Sequence, residues 1–344
     1  MNRVCIIAPR AGGVITGIET VNRVLAKSLL EMGHAVDIAV PTNPFGFSYL
    51  KKLSEDTGCL VSEISGIAEG SLRSLLKDDS IEAGLARQLQ PYRVIFISGA
   101  WFNYGRIIRA ALGRKVIIIP HGLHVNPLEY LDATELNRPN VTYACINWMH
   151  MLDANRRGAG ARAVMFDLPI PFGPRTVKAA GNYCVAVGTE KRKRLSQVAE
   201  VAAALGMECR VYGPEPEPGA RAPGLRYMKQ VPHEELLETI AGAAFLIHMA
   251  LVEGRPMAVL EALGLGVRVI IPDAPLYREF VPDGNVFLDP GRPFTEQLAG
   301  FAADNGLKPL RAMANRRELH DWAHGKYGDA AFKKQLEEIM GVAA

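Results

Sequence analysis

Along the chain, short β-branched and apolar runs alternate with longer stretches in which apolar positions recur every three or four residues. RVCIIAP, HAVDIAVPT, YRVIFISG, RKVIIIPHG, VTYACIN and RAVMFDLPI read as strands, and the first two flank a glycine-rich loop and the helical pattern ETVNRVLAKSLLEMG. That is a βαβ unit. Its repetition predicts a mostly parallel, doubly wound sheet. The rhythm breaks at LPIPFGPRTVKAAGN, whose prolines and glycines mark a linker near residues 168 to 180. It restarts with NYCVAVG, LSQVAEVAAALGM, ECRVYG, LRYMKQV, EELLETIAGA, AFLIHMA, MAVLEAL and VRVIIPD. The expectation is an α/β protein of two Rossmann-like domains, residues 1–170 and 171–315. From Arg316 to Met340 the pattern is helical and amphipathic with no strand after it, and this tail (316–344) is expected to pack back on the first domain.

Length agrees with that division, since 344 residues suffice for about two domains with their own cores. The 39 basic and 36 acidic residues give a formal net charge of +3. That balance argues against a nucleic-acid partner, so any anion binding has to be local. The five cysteines, Cys5, Cys59, Cys145, Cys184 and Cys209, are odd in number and mostly lie in apolar runs. They read as reduced core thiols of a cytoplasmic protein. MNRVCIIAP has too short an apolar run for a signal peptide, and no segment approaches the roughly 20 apolar residues of a membrane span.

The candidate chemistry concentrates in VEGRPMAVLEALGLGVRVIIPD, Val252 to Asp273. Pro256 suits the first helical position, MAVLEAL is strong helix-former sequence, and Gly264 with Gly266 can end the helix. After Gly254 and Arg255, the unpaired amides of Met257, Ala258 and Val259 and the helix dipole would favour an anion such as phosphate. Glu253 precedes the start, and Glu261 leans back toward it from about a turn and a half inside. A lone acidic residue at a helix start is commonly structural. A carboxylate on an otherwise apolar helix is rarer, because buried carboxylates need partners. Phosphate at the amides with hydroxyl-rich groups held by two glutamates describes a sugar nucleotide.

At this point the chain resembles a family. Glu253 and Glu261 have the E-x7-E spacing of retaining GT-B glycosyltransferases of the family-4 type, which include exopolysaccharide and lipopolysaccharide enzymes. TGIETVNRVLAKSLLEMGHAVDIAV resembles that family's opening, and SGAWFNYGRIIRAALGRKVIIIPHGLHVNP its acceptor-domain segment. VPHEELLETIAGAAFLIHMALVEGRPMAVLEALGLGVRVIIPDAPLYREFVPDGNVFLDP resembles the donor-domain core, so almost the whole chain is covered. The resemblance implies two Rossmann-like domains facing a central cleft. It implies transfer of a sugar, with retention, from a UDP- or GDP-type donor to a glycan or lipid-linked acceptor in cell-surface polysaccharide synthesis. Glu253 would contact the transferred sugar, Glu261 the nucleotide ribose, and Glu279 the end of the donor site.

One segment departs from the family pattern. Where the family carries G-R and then K-G, this chain reads VGTEKRKRLS, with Thr189, after Gly188, at the usual arginine position. Lys193 and Arg194 are the candidates to neutralise the diphosphate. A solvated charged turn is the alternative. In the first half, the loop AGGVITGIE places Gly13 and Gly17 where backbone could approach a ligand, or simply makes a tight turn. His121 ends the strand VIIIP at a ligand-facing position and is the candidate to steady the developing charge. It would otherwise be the base of an inverting reaction or a satisfied strand-end histidine. His124 is less well placed. No D-x-D or clustered His/Asp pattern is present, and Asp78 with Asp79 lies in a polar stretch, so no metal or cofactor is expected. NPFGFSYLKKL, with Lys51 and Lys52, and the group Arg106, Arg109, Arg114 and Lys115 suggest peripheral contact with an anionic membrane, or a partly buried loop with a solvated end. The rival functions are a nucleotide-sugar epimerase or phosphorylase on the same fold, and a non-catalytic nucleotide-sugar-binding partner.

Overall fold

The computed structural model describes residues 2–8, 17–41, 54–55, 57–64, 79–99, 104–121, 135, 137–303 and 312–341. The chain divides into two compact units, Met1–Pro171 with Asp329–Ala344, and Phe172–Gly328.

The first unit holds β1 (Arg3–Ile7), α1 (Gly17–Glu31), β2 (Ala35–Pro41), β3 (Leu60–Ile64), α2 (Asp79–Leu89) and β4 (Val94–Ser98). It continues with α3 (Tyr104–Ala110), β5 (Lys115–Ile119), β6 (Val141–Cys145), α4 (Trp148–Arg156) and β7 (Ala163–Met165). Among the described residues these strands form a seven-stranded sheet in the order β3-β2-β1-β4-β5-β6-β7, every pairing parallel. Cys5, Ile7, Ile95, Ile97, Val116 and Ile118 alternate along their strands and so share one face, where they meet Leu85, Leu89, Ile107 and Ile108 of α2 and α3. The near-continuous apolar runs of the sequence follow from burial on both faces, as in β4, where every residue is buried.

The second unit repeats the plan with β8 (Tyr183–Val187), α5 (Leu195–Leu205), β9 (Glu208–Tyr212), β10 (Leu225–Tyr227), α6 (His233–Gly242) and β11 (Phe245–Ile247). It goes on through α7 (Met257–Gly264), β12 (Val269–Pro272), the short α8 (Pro275–Arg278), β13 (Val286–Leu288), α9 (Phe294–Ala303) and α10 (Met313–Tyr327). Its sheet has six strands among the described residues, in the order β10-β9-β8-β11-β12-β13, again all parallel. The five cysteines are all buried and free. Among the described residues no helix is long and apolar enough to cross a membrane.

The tail differs from the single helix expected over 316–344. It is two helices, because Gly328 adopts an extended backbone (φ −75°, ψ 174°) that stops α10, and Asp329 opens α11 (Asp329–Met340). Only α11 belongs with the first unit. There the Phe332 ring meets Phe166 with centroids 5.5 Å apart, and Lys333 reaches Glu31 of α1 at 2.7 Å. The α10 helix stays with the second unit because fully buried Arg316 donates to the carbonyls of Ala243 (2.8 Å) and Ala241 (2.5 Å) at the end of α6.

The end of α7 is a Schellman turn, in which Gly266 N–H donates to Leu263 O at 3.0 Å and Val267 N–H to Ala262 O at 2.8 Å. Gly266 is left-handed (φ +70°), and a Cβ there would sit 2.3 Å from the Arg316 carbonyl oxygen. Gly206, at the end of α5, is also left-handed (φ +62°), but nothing lies within 4 Å of its Cβ position. We therefore expect Gly206→Ala to cost about 1 kcal/mol from backbone strain alone. Gly266→Ala should cost at least about 2 kcal/mol more, because backbone must shift. Urea unfolding of the two variants checks the difference; equal losses would contradict it.

Candidate functional site

In the second sheet the chain lays β8, β9 and β10 outward in one direction, then returns to place β11 on the other side of β8. Reversal of this kind leaves a crevice beyond the strand C-termini. Gly188 follows β8 at that crevice, and His248 follows β11. Gly188 is left-handed (φ +96°), and a Cβ would come within 2.6 Å of Cε of Lys193, so glycine is what lets the lysine lie across the strand end. The chain then makes a 3₁₀ turn over Lys191–Lys193 and enters α5 through Arg194, whose φ of 55° is the one positive value at a non-glycine among the described residues.

The turn aims two cations at Glu253. Its Oε1 accepts from Lys193 Nζ at 2.6 Å and from Arg192 Nη1 at 2.5 Å, and the carboxylate is almost enclosed, 8% exposed. Arg194, expected to act with Lys193, is not among the partners of Glu253, and its buried Nη1 has no hydrogen-bond partner. Its left-handed backbone turns the chain into α5, and Arg192 is the second cation at Glu253.

At the start of α7, Pro256 is the cap rather than the first helical residue (φ −71°, ψ 107°), and no side chain caps the helix. The Val259 amide donates to the Pro256 carbonyl at 3.1 Å, so it is not one of the open donors expected there. The Met257 and Ala258 amides have no acceptor among the described residues. Arg255 is buried, with its guanidinium 4.8 Å from the centroid of the Phe280 ring and 3.3 Å from Glu279 Oε1, so Glu279 does meet the segment that opens the helix, through Arg255. Gly254 connects the two glutamate-bearing segments.

Glu261 is buried on α7 and accepts from His233 Nε2 at 2.8 Å. His233 opens α6, and this bond raises its pKa against the opposing effect of desolvation. The pair of glutamates thus carries unlike partners: two fixed cations at one, a titratable imidazole at the other. His233, Arg192 and His248 were not singled out from sequence. They lie 28, 61 and 5 residues from the glutamates they face; the β8/β11 adjacency brings in Arg192, and the packing of α6 on α7 brings in His233.

In the first sheet the reversal falls between β1 and β4. Ser98 ends β4, and its Oγ shares a 2.8 Å hydrogen bond with Nε2 of His121, just past β5. Desolvation, assisted by the nearby His150, pulls the His121 pKa down to about 3, so the ring is neutral at physiological pH. Gly17 is the exposed first residue of α1. Gly13, His124 and the segment NPFGFSYLKKL lie outside the described residues. The second basic group does not form one exposed patch. Arg106 is buried, Arg109 pairs with Glu82 at 2.7 Å and with Glu135, and Arg114 donates to the backbone carbonyls of Leu112 and Gln90. Among the described residues no group of three or more His, Cys, Asp or Glu could hold a metal ion.

No protein-family model matches the sequence, and no curated protein matches it. Solved structures do. HepE of Anabaena, crystallised with UDP and glucose, is similar over 100% of both chains with 13% identity and a TM-score of 0.72. TarM covers 99% of both chains at 9% identity and a TM-score of 0.77. The lipopolysaccharide outer core galactosyltransferase WaaB covers 99% of both at 14% identity and a TM-score of 0.68. The chain has the GT-B fold of these proteins, with two parallel-sheet Rossmann-like domains.

The state of His121 has a measurable consequence. Its folded pKa lies below the ordinary value of 6.5, so on acidification the unfolded chain takes up the proton first. Stability should therefore fall as pH drops from 6.5 toward 3, by at most about 1.4 kcal/mol per pH unit from this group. Comparing unfolding of wild type and His121→Gln across that range should show a shallower fall in the variant, and parallel curves would contradict the assignment.

Proposed function

We propose that the protein is a retaining glycosyltransferase that moves a sugar from a UDP- or GDP-type nucleotide sugar to a glycan or lipid-linked acceptor, in cell-surface polysaccharide synthesis. The observation that carries this reading is the arrangement around α7: two buried glutamates, Glu253 and Glu261, on either side of a helix start with two open amides, and two cations reaching the first glutamate from the 3₁₀ turn. A diphosphate suits the amides and the cations Arg192 and Lys193, which neutralise charge on the leaving group. Buried carboxylates suit hydroxyl groups, Glu253 those of the transferred sugar and Glu261 those of the ribose. The support from comparison is that HepE was solved with UDP-glucose and that TarM was solved with UDP and α-GlcNAc-glycerol.

In this reading the donor belongs to the second unit and the acceptor to the first. The leaving group is stabilised by protein cations and helix amides, so the reaction needs no metal or cofactor. Neither glutamate is free to act as a nucleophile, which favours departure of the diphosphate and entry of the acceptor from the same face. A neutral His121 serves as a hydrogen-bonding group toward the sugar, not as a cationic acid. The enzyme acts in the cytoplasm, peripherally at the inner face of the membrane when its acceptor is lipid-linked.

Thermal shift with UDP, GDP, ADP and their sugars tests the reading at its root, since a ligand of the folded state raises the melting temperature. UDP or GDP should give the largest shift, and no shift with any nucleotide would overturn it. NMR of the product's anomeric proton should show retention. An inverted product would remove the same-face scheme.

The two glutamates should separate by assay. Glu261→Ala is expected to weaken UDP or GDP binding about 10-fold or more by leaving a ribose hydroxyl unpartnered. Glu253→Gln should lower turnover by about 100-fold without weakening nucleotide binding, because it removes a charge that competes for Arg192 and Lys193. Calorimetry with the free nucleotide beside a transfer assay decides; equal loss of nucleotide affinity in both variants would contradict the division. Changing Arg192 and Lys193 together to alanine should weaken binding of the nucleoside diphosphate far more than that of the nucleoside.

A further inference from the structure

His248 directly follows β11 at the strand reversal, and its backbone amide donates to the Ile270 carbonyl of β12 at 2.9 Å. Its side chain is 2% exposed, with the Tyr277 ring edge-on at 5.9 Å between centroids. The Tyr277 hydroxyl is engaged with the Ala250 carbonyl. Nε2 of His248 is buried without a hydrogen-bond partner and stops 3.6 Å from Oε1 of Glu253. That gap is about 0.4 Å beyond the usual limit near 3.2 Å. Buried polar atoms without partners are uncommon in folded proteins, and each calls for a physical reason.

The reason lies in the other two groups on the same oxygen. Arg192 and Lys193 hold Oε1 from the outer side, on long side chains that are 38% and 13% exposed. Such side chains can swing by rotation about several bonds, whereas His248 has two rotatable bonds and sits on a strand fixed in the ladder. If a diphosphate draws both cations onto its own oxygens, Glu253 is left as a buried carboxylate short of hydrogen-bond donors, which is strongly disfavoured. A small rotation of the imidazole closes the gap.

We propose that His248 is a positioning residue for Glu253: when a nucleoside diphosphate takes Arg192 and Lys193, Nε2–H of His248 replaces them as the donor to Oε1. The carboxylate then keeps its place and its remaining lone pairs for a hydroxyl of the sugar. Burial, and secondarily the charges of Lys193 and Arg192, hold the His248 pKa well below its ordinary value, so the ring is neutral and has a single N–H to offer. The inference rests on the nucleotide-sugar reading of this site.

The test uses the full-length protein, labelled with ¹⁵N at histidine and titrated with UDP and, separately, GDP. The His248 signal is assigned by its absence from the His248→Gln spectrum. On nucleotide binding, Nε2 of His248 should move to the shift of a protonated nitrogen hydrogen-bonded to a carboxylate. Binding that leaves this resonance unchanged overturns the inference while the nucleotide-sugar reading stands. Failure of both nucleotides to bind overturns that reading, and the inference with it. In the transfer assay, His248→Leu should lower kcat about 10- to 100-fold with the donor KM within about threefold. Gln places an amide N–H near the Nε2 position and should recover most of that loss. A Leu variant with normal kcat, or a Gln variant as poor as Leu, would overturn the assignment.

Discussion

A carboxylate that is buried must be given a counter-charge, and the second unit is arranged around that requirement at Glu253. Its side chain is 8% exposed, and the cations that compensate it arrive from 60 and 61 residues earlier in the chain. They can arrive because β8 and β11 are neighbours in the sheet, which sets Gly188 and the following turn beside the segment that leads into α7. A side chain at position 188 would block Lys193, and an ordinary helix entry at Arg194 would carry the turn elsewhere. Sheet order, one glycine and one left-handed arginine therefore serve a single electrostatic contact.

The helix between the glutamates is fixed at both ends by different means. Its start is left open toward the crevice, capped by no side chain. Its end is closed by the Schellman turn, where Gly266 lies against the backbone of Arg316. Arg316 in turn donates to the last carbonyls of α6, the end of that helix where positive charge is favoured. The other end of α6 begins with His233, the partner of Glu261. One buried arginine on α10 thus braces the helix that carries Glu261 and the helix that carries its partner, so packing behind the site sets geometry in front of it.

Much of this was legible in the sequence, and the physical reason is locality. β-branched runs buried on both faces announce parallel strands, and Gly254 through Gly266 announce a helix with a defined start and stop. Glu261 stood out because a carboxylate on an apolar helix needs a partner, and the structure supplies His233. What was not legible depends on contacts between distant segments. Arg192 rather than Arg194 meets Glu253 where Arg194 has a left-handed backbone, which the sequence does not announce, and the Val259 amide is lost to the Pro256 carbonyl through a cap geometry that no spacing rule fixes. The break at Gly328 was missed because amphipathic periodicity continues on both sides of it, while the two helices it separates belong to different units.

Two histidines beside two glutamates show how environment divides one residue type into two states. His233 is partly exposed and bonded to Glu261, and that bond outweighs desolvation, so its pKa rises. His248 is enclosed and faces Glu253 from behind two cations, so burial and like charge push its pKa well below the ordinary value. Around Glu253 two fixed cations meet the carboxylate, and Arg192 is shared with Glu190 at 3.4 Å. Around Glu261 the one ionic partner among the described residues titrates, and its charge is at most enough to cancel the carboxylate. Fixed cations thus lie at Glu253 and a titratable one at Glu261. The polarity of the site along α7 follows from which partner each glutamate is given, Arg192 and Lys193 through the β8/β11 adjacency and His233 through the packing of α6 on α7.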